Sequence, residues 1–196
     1  MKAFKSAALA LSLVAAAALP LSAQAAVEVG GVKFEDSASV NGQALQLNGA
    51  GLRVKMIIKV YALGLYVSAP ESDAGKVLNQ PGAKSVRIVM LRNVSGEDLA
   101  KSLVAGVADN ATPAEQKALQ ERLDSLKSTL IASGEAKKGA VIEMNFLPGT
   151  GTRISMNGAQ VGKDIAGEDF YRAVLKIWLG SDPADSSLKK DLLSKR

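Results

Sequence analysis

The chain has 196 residues, 47% of them hydrophobic and 22% charged, with neither cysteine nor histidine, which suits one globular domain rather than several. Disulfides, thiol nucleophiles, thiolate or imidazole metal sites and any catalytic triad with an imidazole base are thereby excluded. The 24 basic and 19 acidic residues give a formal charge of +5, an excess too small to imply nucleic acid.

Residues 1 to 25 combine Lys2 and Lys5, an apolar run from Ala7 to Leu19, Pro20 and the small-residue triplet Ala23-Gln24-Ala25. That order reads as a secretory signal peptide cleaved after Ala25. The apolar run is shorter than the roughly 20 residues that a membrane span requires, so the chain is not expected to span a membrane. Loss of Lys2 and Lys5 lowers the formal charge to +3. The remaining 26–196 segment, about 170 residues, is long enough to be held by burial alone. A cysteine-free exported domain of this size fits the bacterial periplasm, with an extracellular address as the alternative.

Along the mature chain, Val27 to Val40 alternates apolar residues around Gly30-Gly31 and predicts a short hairpin. Leu45-Gln46-Leu47 alternates, and Asn48-Gly49-Ala50-Gly51 reads as a turn-forming cluster. Leu52 to Val67 is the most strand-like segment, either one long bent strand or two joined near Lys59. A short helix is expected over Ser72 to Leu78 and a strand over Ser85 to Arg92. Ser95 then caps a helix carrying Leu99, Leu103 and Val107 at i+4 spacing. Thr112-Pro113-Ala114-Glu115 starts a second helix, whose stripe of Leu119, Leu123, Leu126 and Leu130 predicts a core face. Strands follow over Gly139 to Leu147 and Thr152 to Met156, joined by Pro148-Gly149-Thr150-Gly151, and Asn157-Gly158 leads into a pairing strand from Gln160 to Ile165. Helices over about Gly167 to Leu179 and Ser186 to Ser194 close the chain. Short hairpins and this order of elements favour an antiparallel α+β domain over alternating βαβ units.

If the strand from Leu52 is unbroken, Arg53, Lys55, Ile57, Lys59 and Tyr61 share one face, while Val54, Met56, Ile58 and Val60 form a core face. The first face is either a solvated sheet surface or the floor of a cleft for an anionic headgroup. Arg53 suits a carboxylate because its planar fork can pair both oxygens. Gly149-Thr150-Gly151 lacks the lysine and following helix of a phosphate loop, and no two carboxylates are placed as an acid and base pair. Trp178 sits on a helix that is apolar over most of its circumference, with Glu168, Arg172 and Lys176 forming the polar side, and is expected to be a buried structural residue. The tail cations Lys189, Lys190, Lys195 and Arg196 are read as a solvated end.

Three segments together resemble the chalcone isomerase family. They are LNGAGLRVKMIIKVYALGLYV, with Ala62, Gly64 and Tyr66 in an Ala-x-Gly-x-Tyr strand, SVRIVMLRNVSGEDLAKSL, and FYRAVLKIWLGSDPADSSLKKDLL. With the signal segment, the chain is most similar to that family's secreted bacterial branch. The resemblance implies an α+β open-faced β-sandwich, with a large antiparallel sheet, helices layered on one side and a ligand cleft between them. In the plant enzymes of the family an arginine, a threonine, a tyrosine and a serine or threonine orient a chalcone and stabilise the enolate that forms as its ring closes. Here Arg53 matches the arginine, Tyr61 stands at the threonine position, Leu99 at the helix tyrosine, and Ile177 or Lys176 at the late hydroxyl. An aliphatic side chain cannot donate to an oxyanion, and losing one such donor costs about 2.7–4 kcal/mol in the transition state.

The resemblance therefore implies a non-catalytic periplasmic protein that binds an amphipathic carboxylate such as a fatty acid. Arg53 would be the headgroup clamp, Tyr61 a second donor, and Leu99 and Ile177 wall residues. No catalytic residue, metal or cofactor is expected, and the protein is expected to be a monomer. Two alternatives stay open. One is an isomerase or intramolecular lyase acting on an enone or phenol through Arg53 and Tyr61. The other is an envelope protein without a small ligand, which predicts no cleft beside Arg53.

Overall fold

The computed structural model describes residues 26–194, so residues 1–25, where a signal segment is expected, and the last two cations lie outside the described residues. A two-stranded hairpin, β1 (Val27–Val29) and β2 (Val32–Phe34), turns at Gly30-Gly31. The expected single hairpin over Val27 to Val40 is in fact two, because β3 (Ser37–Val40) turns at Asn41-Gly42 into β4 (Gln43–Lys55) and joins the main sheet. Then come β5 (Ile58–Val67), α1 (Ala74–Asn79), β6 (Lys84–Met90), α2 (Gly96–Ala108) and α3 (Pro113–Ala132). The chain ends with β7 (Val141–Leu147), β8 (Gly151–Met156), β9 (Ala159–Gln160), α4 (Glu168–Leu179) and α5 (Ser186–Leu192). The main sheet is antiparallel throughout, seven strands in the order β3-β4-β5-β6-β7-β8-β9.

Strand alternation divides the core. Leu63, Leu65, Val86, Ile88, Ile142, Met144 and Ile154 point toward α2, α3 and α4. Ala62, Tyr66 and Leu47 point the other way, under Phe34 of the β1–β2 hairpin. Ala62 and Gly64 of the Ala-x-Gly-x-Tyr strand serve this second face. A Cβ at Gly64 would come within 2.6 Å of the Phe34 ring, and the Tyr66 hydroxyl donates to the Glu35 carbonyl. The helices form where their caps predict. Ser95 accepts from the Asp98 amide, Thr112 and Glu115 make a reciprocal capping box, and Leu119, Leu123, Leu126 and Leu130 are buried.

Four further expectations are corrected. Asn48-Gly49-Ala50-Gly51 is no turn but the middle of β4. A Cβ at Gly49 would collide with the Asp191 carbonyl, and one at Gly51 would lie 2.7 Å from the Asp191 Cβ, so these glycines let α5 lie directly on the strand. The Leu52 to Val67 segment is two strands, reversing at Met56-Ile57 rather than at Lys59. Consequently Met56 and Ile58 are not core: Met56, Ile57 and Ile58 are exposed at the hairpin tip. Finally, the strand expected to run from Gln160 to Ile165 keeps strand register only at Ala159–Gln160, followed by one more bond from the Val161 amide to the Ile154 carbonyl. The chain then leaves the ladder around Gly162, at φ 69°, and returns at a single bridge between Ile165 and Thr152.

Candidate functional site

Between the sheet and the helices lies a cavity of about 390 Å³, inside the range of about 300–1,000 Å³ common for small-molecule sites. Its floor includes Ile88, Ile142 and Met144, and α2 contributes Leu99 and Leu103 to a wall. Ile177 and Trp178 of α4 form another wall, and the link to α5 closes one side through Pro183 and Ala184. Gly106 sets the approach of α2 to α4, since a Cβ there would lie 2.8 Å from Ile177 Cγ2. All four residues singled out from the sequence, Arg53, Tyr61, Leu99 and Ile177, border this one cavity.

Arg53 and Tyr61 face each other across the β4–β5 hairpin as direct register partners, just before a bulge. On an unbroken strand their eight-residue separation would span about 26 Å, too far to share one headgroup. Across an antiparallel pair the Cα atoms of partners are only about 4.5–5.5 Å apart. The hairpin therefore supplies the convergence.

The Arg53 guanidinium is held from one side. Its Nη1 donates to the Val54 carbonyl at 2.6 Å and lies 3.6 Å from Asp185 Oδ2. Nε and Nη2 make no hydrogen bond to a described residue, so half of the fork remains for a guest. Asp185 is itself firmly placed. Oδ2 accepts from the Val54 amide, and Oδ1 accepts from Ser187 and Leu188 at the start of α5. Burial pushes the Asp185 carboxyl pKa up, but those three amides and the Arg53 charge outweigh it and hold the value below the usual one. A depressed carboxyl contributes stability above its unfolded pKa near 4, which is lost as pH falls through the lower folded value. The acid limb of the stability curve below about pH 4 should accordingly be shallower in Asp185→Asn, as followed by urea unfolding at a series of pH values.

The Tyr61 hydroxyl accepts the Trp178 Nε1 hydrogen at 2.9 Å. Burial raises the phenol pKa, offset only in part by the Trp178 hydrogen bond and the Arg53 charge, while Asp185 adds to the rise. Tyr61 is therefore a neutral phenol whose own hydrogen has no acceptor among the described residues. Accepting from Trp178 polarises it as a donor. Trp178 is buried as expected, but its part in aligning Tyr61 was not legible, nor was the Asp185 clamp on Arg53. A sequence shows an N-cap aspartate before a short helix, and nothing in it indicates that the second carboxylate oxygen reaches a strand 131 residues away. Lys189, read as part of a solvated tail, instead donates to the Gly180 carbonyl at the end of α4.

Among the described residues no group of carboxylates is arranged to hold a metal ion, and no helix is long and apolar enough to cross a membrane. A family described as chalcone isomerase-like matches residues 26–194. A crystal structure of a fatty-acid binding protein from Arabidopsis thaliana matches with a TM-score of 0.66 at 18% identity, over 83% of this chain and 92% of that one. That degree of likeness establishes a common fold. No curated protein sequence matches the chain.

Proposed function

The chain belongs to the chalcone isomerase-like family, and from that premise we propose that it is a non-catalytic binding protein holding an amphipathic, fatty-acid-like carboxylate in the sheet–helix cavity. The observation that carries this reading is the pairing of Arg53 and Tyr61 at the rim of an otherwise largely apolar space. A carboxylate there would accept from the free side of the guanidinium and from the Tyr61 hydroxyl, while the alkyl chain would lie along Leu99, Ile177 and Met144. The fold shared with a fatty-acid binding protein adds support.

Leu99 and Ile177 border the cavity where the resemblance implies hydroxyl donors. Each missing donor would cost an enolate-forming reaction a factor of about 10²–10³. The isomerase alternative would retain only Arg53 and Tyr61, and steady turnover of a chalcone would establish it. The cavity beside Arg53 is the feature that an envelope protein without a ligand was expected to lack.

This reading also assigns the protein to the periplasm, on the strength of the order of Lys2, Lys5, the Ala7 to Leu19 run and Ala23-Gln24-Ala25. Native mass spectrometry of the protein purified from its own compartment tests both parts. The expected spectrum shows a chain beginning at Ala26 with a bound long-chain carboxylic acid. A ligand-free chain that also fails to bind oleate in titration would overturn the binding reading, and a retained Met1 would overturn export.

A further inference from the structure

The main sheet and its neighbour contain four hairpins with two-residue loops, and three use the residues that such turns favour. These are Gly30-Gly31, Asn41-Gly42 and Asn157-Gly158, each with positive φ at both positions. The fourth, between β4 and β5, is Met56-Ile57, with Met56 at φ 59°. A bulky residue in that region is strained, and glycine would remove the strain. Both side chains also stand in water, Met56 92% and Ile57 93% exposed, with Ile58 following at 48%. Among the described residues the only other large apolar side chain so exposed is Ile131. Three of four are thus consecutive, at one tip, against both turn chemistry and solvation. Local rules broken together in this way mark a functional position.

Lys55 and Lys59 flank the tip, both exposed and neither in an ion pair with a described residue. The tip adjoins the cavity rim, because Lys55 and Val60 line the cavity. The acidic rim residues Asp109 and Asp182 belong to the helical side, so the hairpin side carries the positive charge. A protein interface needs roughly 800 Å² per partner with an apolar centre, whereas two or three side chains on a narrow tip between lysines suit shallow insertion among lipid headgroups.

We infer that the Met56-Ile57 tip is a membrane-docking device, which inserts into an anionic lipid surface while Lys55 and Lys59 contact the headgroups. Docking stands on the tip alone. That it serves to pass a lipid between bilayer and cavity rests on the ligand reading above. Flotation with vesicles of phosphatidylethanolamine and phosphatidylglycerol, against phosphatidylcholine alone, tests it, using Met56→Gly combined with Ile57→Asn. That variant restores favoured turn residues and should fold at least as stably, which thermal unfolding checks. We expect the unmodified protein to float with anionic vesicles only, and the double variant to bind them on the order of a hundredfold more weakly. Lys59→Glu should bind more weakly and with less dependence on salt. Oleate binding in lipid-free solution should be unchanged in the double variant. Equal flotation of protein and folded double variant, or no flotation of either, overturns docking whatever the oleate result. Tip-dependent flotation without oleate binding supports docking and removes the ligand reading instead.

Discussion

Replacing Asn48 with alanine should lower the unfolding free energy by about 3 kcal/mol, the largest single loss we expect from a residue outside the apolar core. Asn48 is fully buried, and its amide joins three parts of the chain. Oδ1 accepts from the Glu71 amide at 2.6 Å, while Nδ2 donates to the carbonyls of Glu71 at 3.0 Å and Leu192 at 2.6 Å. Truncation strands three backbone groups at about 1–3 kcal/mol each, less what water recovers at the partly exposed Glu71. Domains of this kind have only about 5–15 kcal/mol in total, so the melting temperature should fall by roughly 6–12 °C. Gly49→Ala acts on the same contact by driving a Cβ into the Asp191 carbonyl and displacing α5. Because both changes loosen one helix, their effects should fall short of additive in a double-mutant cycle read by urea unfolding. Additive losses would mean that Asn48 and Gly49 support separate parts of the structure.

The position of α5 matters to the site as well as to stability. Asp185 caps that helix and at the same time holds Arg53 and the Val54 amide. A helix displaced from β4 takes the carboxylate with it and leaves the guanidinium held by the Val54 carbonyl alone.

How far all this could be read from the sequence follows from the range over which each signal acts. Thr112, Pro113 and Glu115 announce α3 because capping operates within four residues, and Asn157-Gly158 announces its hairpin for the same reason. Gly49 and Gly51 resemble a turn because a local signal cannot tell a glycine that bends the chain from one that admits a helix about 140 residues later. The Leu52 to Val67 segment shows the same limit from the other side. Nothing in Lys55-Met56-Ile57-Ile58 resembles a turn, so alternation carried through it and assigned Met56 and Ile58 to the core. Arg53 and Tyr61 nonetheless share one face, because the bulge between Arg53 and Val54 makes them register partners at an even separation, whereas partners next to the turn, such as Lys55 and Ile58, lie an odd number of residues apart. The face was legible and the proximity was not. Likewise Leu99 and Ile177 were located by family resemblance, whereas Asp185 and the Trp178 hydrogen bond arise from contacts that no pattern of spacing encodes.

That proximity sets the second large effect, on ligand affinity. In Arg53→Ala the affinity for a long-chain fatty acid should fall between about 10-fold and 150-fold, because hydrogen bonds involving a charged group contribute about 1.5–3 kcal/mol. Tyr61→Phe, which removes one neutral donor to the same carboxylate, should cost nearer tenfold. Since both donors act on one group, the double variant should lose less than the product of the two factors. The substitutions leave the fold in place: without Arg53, Asp185 still accepts from Val54, Ser187 and Leu188. The methyl ester of the same acid isolates the headgroup term. It should bind the unmodified protein about as weakly as the free acid binds Arg53→Ala, and be indifferent to that substitution. Asp185→Asn adds a check of opposite sign, because a carboxylate that competes for Arg53 is removed, and free-acid binding should tighten while ester binding stays constant. If isothermal titration showed acid and ester losing affinity equally in Arg53→Ala, the arginine would be shaping the cavity rather than gripping a charge, and its assignment as the headgroup clamp would fail.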